Sequence, residues 1–244
     1  MIYARKSEEF EQTLEEHIEE CLKALEELKN TRFWKLIREN EVELRTAIVF
    51  HDSGKIFYQK NFKGGKIIFT GHEILSAHIL DTFAWYYGKD AGDRHLSIAA
   101  VLYHHHAMGV KKRAGNLRKI ELKFNREEFE EILAEHKKIL LKHLGFFEPK
   151  AVEKALDDLN SDLRKLFTGD RVNTSSMVSS MVSECGMITH IWEKFQKEAD
   201  FRKKMITLTT ALVICDYRGA KGKRTEFGKI IDEFVELYKV CSTS

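Results

Sequence analysis

Proline is almost absent from this chain of 244 residues, where Pro149 is the single example. So low a count suits an α-rich fold, since turn-rich β proteins carry more. The four cysteines, Cys21, Cys185, Cys215 and Cys241, are scattered and form no CxxC pair. That excludes a zinc-ribbon pattern, argues against a disulfide framework, and suits buried thiols in a reducing compartment. No run approaches twenty apolar residues, so no membrane-spanning helix is expected. The stretch Met1 to Lys6 lacks the apolar segment and small-residue cleavage site of a signal peptide, and a cytoplasmic protein is expected. Charge of one sign is missing too: 40 basic residues face 38 acidic ones, a net of +2. Any attraction to phosphate must therefore come from local clusters. Aromatic anchors are plentiful, with 16 Phe, 7 Tyr and 3 Trp, which excludes a disordered chain.

Helical periodicity dominates what is present. From Ser7 to Lys29 the apolar residues Phe10, Leu14, Ile18, Cys21, Leu22, Leu25 and Leu28 recur three or four apart, with Ser7 as the expected N-cap. Further helices fit Glu41–His51, stopping at Ser53-Gly54 where glycine can take a left-handed cap, then His72–Tyr87 before Gly88, and Leu96–His106 before Gly109. Others fit Arg126–Leu144, Pro149–Phe167, Met187–Ala199, Phe201–Tyr217 and Phe227–Val240. Asn173–Ser183 reads as a loop or a soft helix start. Lys66-Ile67-Ile68-Phe69, after Gly64-Gly65, reads as one arm of a small hairpin. No repeat, linker or composition shift divides the chain. One all-α domain over residues 1–244, with at most one small β-hairpin, is predicted.

The 11 histidines are informative through their placement. His17 shares the apolar face of the first helix. His51-Asp52 follows Ala47-Ile48-Val49-Phe50, and His72 opens a helix in Gly71-His72-Glu73. His104-His105-His106 closes another helix, and Asp216 follows Ala211-Leu212-Val213-Ile214-Cys215. Each polar group thus sits at the edge of a segment that the core should hold rigidly. Burying them without partners would cost about 1–3 kcal/mol per group. Imidazole nitrogens and carboxylate oxygens converging on divalent metal would satisfy them together. Six or more candidate ligands exceed the needs of one structural zinc. Two ions accommodate them better, and two-ion sites hydrolyse phosphodiesters. His95, His136, His143 and His190 lie in charged or mixed surroundings and read as solvated, with Glu73 and His78 as supporting or surface groups.

The His51-Asp52 pair, with a histidine upstream and an aspartate far downstream, resembles the HD superfamily of metal-dependent phosphohydrolases. The run His51-Asp52-Ser53-Gly54-Lys55, the stations at Gly71-His72-Glu73-Ile74-Leu75-Ser76-Ala77 and His104-His105, and the opening Tyr3-Ala4-Arg5 narrow the likeness. Together they resemble the HD nuclease module of the CRISPR-associated helicase–nuclease of type I systems, over residues 3 to 220. The resemblance implies an HD-domain helical bundle with two divalent ions, Mn, Fe, Ni, Co or Mg. His17, His51, Asp52 and Asp216 would hold one ion, and Asp52, His72, His104 and His105 the other. Asp52 and Lys55 would be catalytic, Lys55 by stabilising phosphate charge. The triple histidine departs from the family's pair, which leaves His106 open. No phosphate-binding G-x-x-x-x-G-K-[ST] loop exists, because Arg224 stands where Ser or Thr should follow Lys223. A nuclease for single-stranded DNA or RNA, partnered by a separately encoded helicase and a CRISPR surveillance complex, is the implied form.

Basic residues follow three of these stations: Lys60, Lys63 and Lys66; then Lys111, Lys112, Arg113, Arg118 and Lys119; then Arg218, Lys221, Lys223 and Arg224. They are expected to rim one opening and to bind a polyanionic strand. The alternatives are an HD phosphohydrolase of nucleotides or cyclic nucleotides, and a non-catalytic module stabilised by a structural metal.

Overall fold

The computed structural model describes residues 1–60, 62–88, 93–105, 110–117, 122–220 and 226–239. The chain opens with an antiparallel pair, β1 (Tyr3–Lys6) and β2 (Glu11–Thr13), in register Arg5 to Gln12 and Lys6 to Glu11. Helix α1 (Leu14–Leu28) starts from Thr13, whose hydroxyl accepts from the Glu16 amide while the Glu16 carboxylate accepts from the Thr13 amide. The expected start at Ser7 is thus displaced. The apolar spacing of Phe10 mimics a helix, but residues 11–13 pair with β1 instead.

Helix α2 (Glu41–Phe50) leads into a 3₁₀ turn over Ser53–Tyr58, and β3 (Phe62–Lys63) pairs with β4 (Lys66–Ile67) as the expected hairpin. Then come α3 (His72–Tyr87), α4 (Arg94–Tyr103), α5 (Val110–Leu117), β5 (Leu122–Lys123), α6 (Arg126–His143), α7 (Pro149–Lys165), β6 (Phe167–Thr168) and β7 (Arg171–Val172). The chain finishes through α8 (Thr174–Val182), α9 (Met187–Lys197), α10 (Ala199–Gly219) and α11 (Glu226–Tyr238). The molecule is mostly helical, as the sequence predicts. It carries more β-structure than one hairpin, because β1–β2 and a three-stranded set ordered β5-β7-β6 add to β3–β4. Two-residue strands are too short for alternation to register in the sequence. Serine-rich Thr174–Val182 is a helix, with Asn173 accepting from the Ser175 amide and Met177, Val178 and Met181 buried.

Helix α10 runs through the middle, against α1, α2, α4, α9 and α11, while α3 packs on α4, α7 and the 3₁₀ turn. The helix ends that carry histidine and aspartate therefore meet within one continuous core. Two glycines allow the close approaches. A Cβ at Gly54 would lie 2.7 Å from the Ser76 amide nitrogen of α3, and one at Gly219 would lie 2.8 Å from the Cys21 nitrogen of α1. Gly54 is needed for its missing side chain, since it is not among the residues with positive φ. The left-handed cap expected there does not form. Among the described residues no helix is long and apolar enough to cross a membrane.

Candidate metal centre

Four helix ends and one helix face supply the polar groups. His17 comes from α1, His51 and Asp52 from the end of α2, His72 from the start of α3, His104 and His105 from the end of α4, and Asp216 from α10. His51, Asp52 and His104 are essentially closed to solvent, and His17, His72 and Asp216 are buried.

On one side, His17 Nε2 lies 3.2 Å from His51 Nε2, 3.1 Å from Asp216 Oδ1 and 3.3 Å from Asp52 Oδ2. His51 Nε2 is 3.6 Å from Asp52 Oδ2 and 3.7 Å from Asp216 Oδ1. On the other side, His72 Nε2 lies 3.0 Å from Asp52 Oδ1 and 3.1 Å from His105 Nε2. Ligand atoms of Asp52, His72, His104 and His105 all fall within 4.8 Å of one another. Asp52 faces both sides, one oxygen to each.

The local backbone fixes which nitrogen points inward. His51, His72 and His104 each place Nδ1 at 2.6–2.7 Å from the carbonyl three residues earlier, Ile48, Phe69 and Val101 respectively. An Nδ1–H that donates to a carbonyl leaves Nε2 as a lone pair facing the centre. His72 Nε2 then confronts a carboxylate oxygen and a second imidazole nitrogen, an arrangement that needs a cation or a proton between them. His104 Nε2 is buried with no hydrogen-bond partner among the described residues. Nitrogen and carboxylate donors at these separations fit divalent transition metals, so the residues present fit the group the sequence implies.

Electrostatics prepare the donors. Burial pushes the Asp52 carboxyl up, but Lys55, His51 and His72 outweigh it and hold Asp52 well below the usual carboxylate range. Burial acts on Asp216 likewise and is overcome by His17 and His51. For His51, burial pulls down, yet Asp52 and Asp216 leave it raised. His104 is lowered to about 3 by burial and by His51, and His105 is lowered by burial and by His104. Carboxylates ionised and imidazoles neutral are the ligand-competent forms. Cys21 Sγ sits 3.8 Å from His17 Nε2, but burial raises its thiol well above the ordinary value, so it stays neutral.

Lys55 stands against the Asp52 carboxylate. Its ammonium is buried, donating to Asp52 Oδ2 at 2.6 Å and to the Ala4 carbonyl at 3.0 Å. That second bond is the physical content of the Tyr3-Ala4-Arg5 opening. The basic residues divide. Lys66 and Lys112 are exposed. Arg113 turns inward, pairing with buried Glu73 at 3.0 Å and donating to the His105 carbonyl at 3.3 Å. Arg218 pairs with Asp232 at 3.2 Å and with Glu27. Each arginine pairs with an acidic neighbour from another helix. His106, Arg118, Lys119, Lys221, Lys223 and Arg224 lie outside the described residues, as do the side chains of Lys63 and Lys111.

Sequence reasoning missed His136. It is fully buried rather than solvated, with Nε2 3.0 Å from Ser53 Oγ, beside Asp52. Its place on the apolar face of α6, with Phe129, Ile132, Leu133, Ile139 and Leu140, was the available signal. Glu73 is likewise buried against the ligand-bearing helices.

No family model matches the chain, and no solved structure matches it. The chain is similar to the CRISPR-associated endonuclease Cas3-HD of Pyrococcus furiosus, 25% identical over 264 aligned positions that cover 94% of this chain and 95% of that protein. That similarity, running nearly end to end, supports the resemblance to an HD-domain module of CRISPR-associated nucleases that the histidine and aspartate stations carry.

Proposed function

We propose that this chain is a divalent-metal-dependent nuclease of CRISPR interference that hydrolyses phosphodiester bonds in single-stranded DNA or RNA. The observation that carries it is the convergence of His17, His51, Asp52, His72, His104, His105 and Asp216 on one buried centre whose imidazole lone pairs face each other. The similarity to an endonuclease over nearly the whole chain supports the same reading. His17, His51, Asp52 and Asp216 would hold one ion, and Asp52, His72, His104 and His105 a second, of Mn, Fe, Ni, Co or Mg. Bound there, such ions supply Lewis acidity and lower the pKa of water.

The protein's own residues do the positioning. Asp52 spans both sides and fixes their separation, and Lys55 holds Asp52 in place while offsetting its charge. The carbonyls of Ile48, Phe69 and Val101 lock three imidazoles with Nε2 inward, so no reorganisation is needed when a cation arrives. Lys66 and Lys112, exposed on β4 and α5, would meet the backbone of a strand, with affinity falling as salt rises. The partners of this reading are a separately encoded helicase and a CRISPR surveillance complex.

The test is cleavage of end-labelled single-stranded DNA and RNA by chelator-stripped protein, with Mg, Mn, Ni, Co or Fe restored in turn. Nucleotides and cyclic nucleotides are run in parallel. Metal-dependent strand scission without nucleotide turnover is expected. Nucleotide hydrolysis with intact strands would move the protein to small-molecule substrates. Silence on both, with metal loss unfolding the chain, would make the metal structural.

A further inference from the structure

His104 belongs to two places at once. Its ring sits in the metal centre, and it also lines a cleft of about 1070 Å³ walled by residues of α4, α5, α8, α9, α10 and α11. The walls are mostly apolar, and one side is aromatic. Tyr103 and Trp192 meet edge to face with centroids 6.1 Å apart, and Trp192 and Phe195 meet in the same way at 5.1 Å. Trp192 keeps 43% of its surface exposed, unusual for an indole in a cleft wall with aromatic neighbours. The Thr209 hydroxyl, also in the wall, has no hydrogen-bond partner among the described residues.

Charge decides which part of a ligand enters. Glu184 is the one Asp, Glu, Lys or Arg among the described lining residues, so these walls offer phosphate no cation. Basic groups stand outside it. The Arg202 guanidinium lies 5.8 Å from the Phe195 ring centroid, and Lys112 is exposed on α5. An apolar slot with aromatic faces, few polar atoms, cations outside and a candidate metal ligand in its wall matches a nucleic-acid strand: flat bases inside, backbone outside.

We propose that this cleft binds nucleobases of the strand whose backbone reaches the metal centre, with Trp192 as the stacking platform. The proposal rests on the nuclease reading above. It adds that recognition is carried by base stacking from α9, beyond the attraction of lysine for phosphate.

The experiment compares equilibrium binding of two labelled strands of equal length to the intact chain, oligothymidylate and an abasic strand with the same backbone. Stacking contributes about 1–3 kcal/mol per base, so oligothymidylate should bind about tenfold tighter or more. Trp192→Ala should bring the ratio close to one, and Trp192→Phe, which keeps a ring, should restore most of it. Quenching of tryptophan emission by oligothymidylate in the wild type, lost in Trp192→Phe, reads the same contact without depending on the alanine variant's folding. Equal affinity for both strands in the wild type would overturn the proposal and leave the cleft to a protein partner. A preference that survives Trp192→Ala in a folded variant would overturn it as well. Hydrolysis of bis(p-nitrophenyl) phosphate, a diester without a nucleobase, separately reports the metal centre. Its absence with every metal would sink the nuclease reading, while the binding comparison still decides the cleft.

Discussion

The two sides of the candidate metal centre solve the burial of polar groups differently. Around His17 and His51, the carboxylates of Asp52 and Asp216 and the ammonium of Lys55 balance one another, and every one of these groups has an opposite charge or a hydrogen-bond partner within 3.7 Å. Around His104 and His105 there is no such balance. Both imidazoles are driven toward the neutral form, and among the described residues His104 Nε2 has no hydrogen-bond partner. On the first side every group already has a partner from the chain itself. The second is complete only when a cation arrives. Pre-organisation for a metal is thus visible as a local cost, concentrated where the protein supplies donors and withholds acceptors' partners.

Asp52 joins the sides, so its removal should have the largest effect. Asp52→Ala is expected to lower metal-dependent strand cleavage by more than the roughly 100-fold that loss of a supporting partner costs, with the helical circular dichroism retained. Substantial manganese-supported activity in that variant would separate the two sides.

A pair of leucine substitutions breaks the comparison open. In chelator, His51→Leu should destabilise the fold by about 3–5 kcal/mol, because it strips a partner from two buried carboxylates. His104→Leu should be neutral or stabilise by up to about 1–3 kcal/mol, because it removes an unsatisfied buried nitrogen. Denaturant unfolding of both variants, with and without manganese, gives the answer. Equal destabilisation would mean that the two sides are not different in kind.

Glu73 and Arg113 support the second side from behind. Glu73→Gln or Arg113→Ala is expected to weaken metal binding by about 10–100-fold, read by titration calorimetry. An unchanged affinity would return Arg113 to the surface role its sequence position suggests.

A further effect is a pH slope. Burial lowers His136 to about 3, so the folded chain binds fewer protons there than the unfolded chain, whose histidine titrates near 6.5. Stability from this group is present above about pH 6.5 and is lost as pH falls from there toward 3, at up to about 1.4 kcal/mol per unit. His136→Gln should flatten that part of the profile, measured as unfolding free energy in chelator.

What the sequence made legible was the end of each rigid segment. His51-Asp52, His72 and His104-His105 stand where apolar runs stop, and the runs themselves became α2, α3 and α4 with ends displaced by a few residues at most. Partner choice was not legible. Arg113 and Arg218 read as free cations because nothing in a linear chain places Glu73 or Asp232 beside them. His136 read as solvated because its immediate neighbours are charged, although helical spacing turns it toward the core. Strand β5 depends on pairing with β7 far along the chain, and β6 and β7 form a hairpin whose two-residue arms are too short to leave a local pattern. The cleft beside His104 draws its walls from several helices, and no single helix hints at it.

The most direct test of the centre is the number of manganese ions bound per chain at equilibrium, in the wild type and in Asp52→Ala. Two ions in the wild type, with binding weakened on both sides by the substitution, are the expected result. No bound ion, or a count that Asp52→Ala leaves unchanged, would contradict a shared two-ion centre.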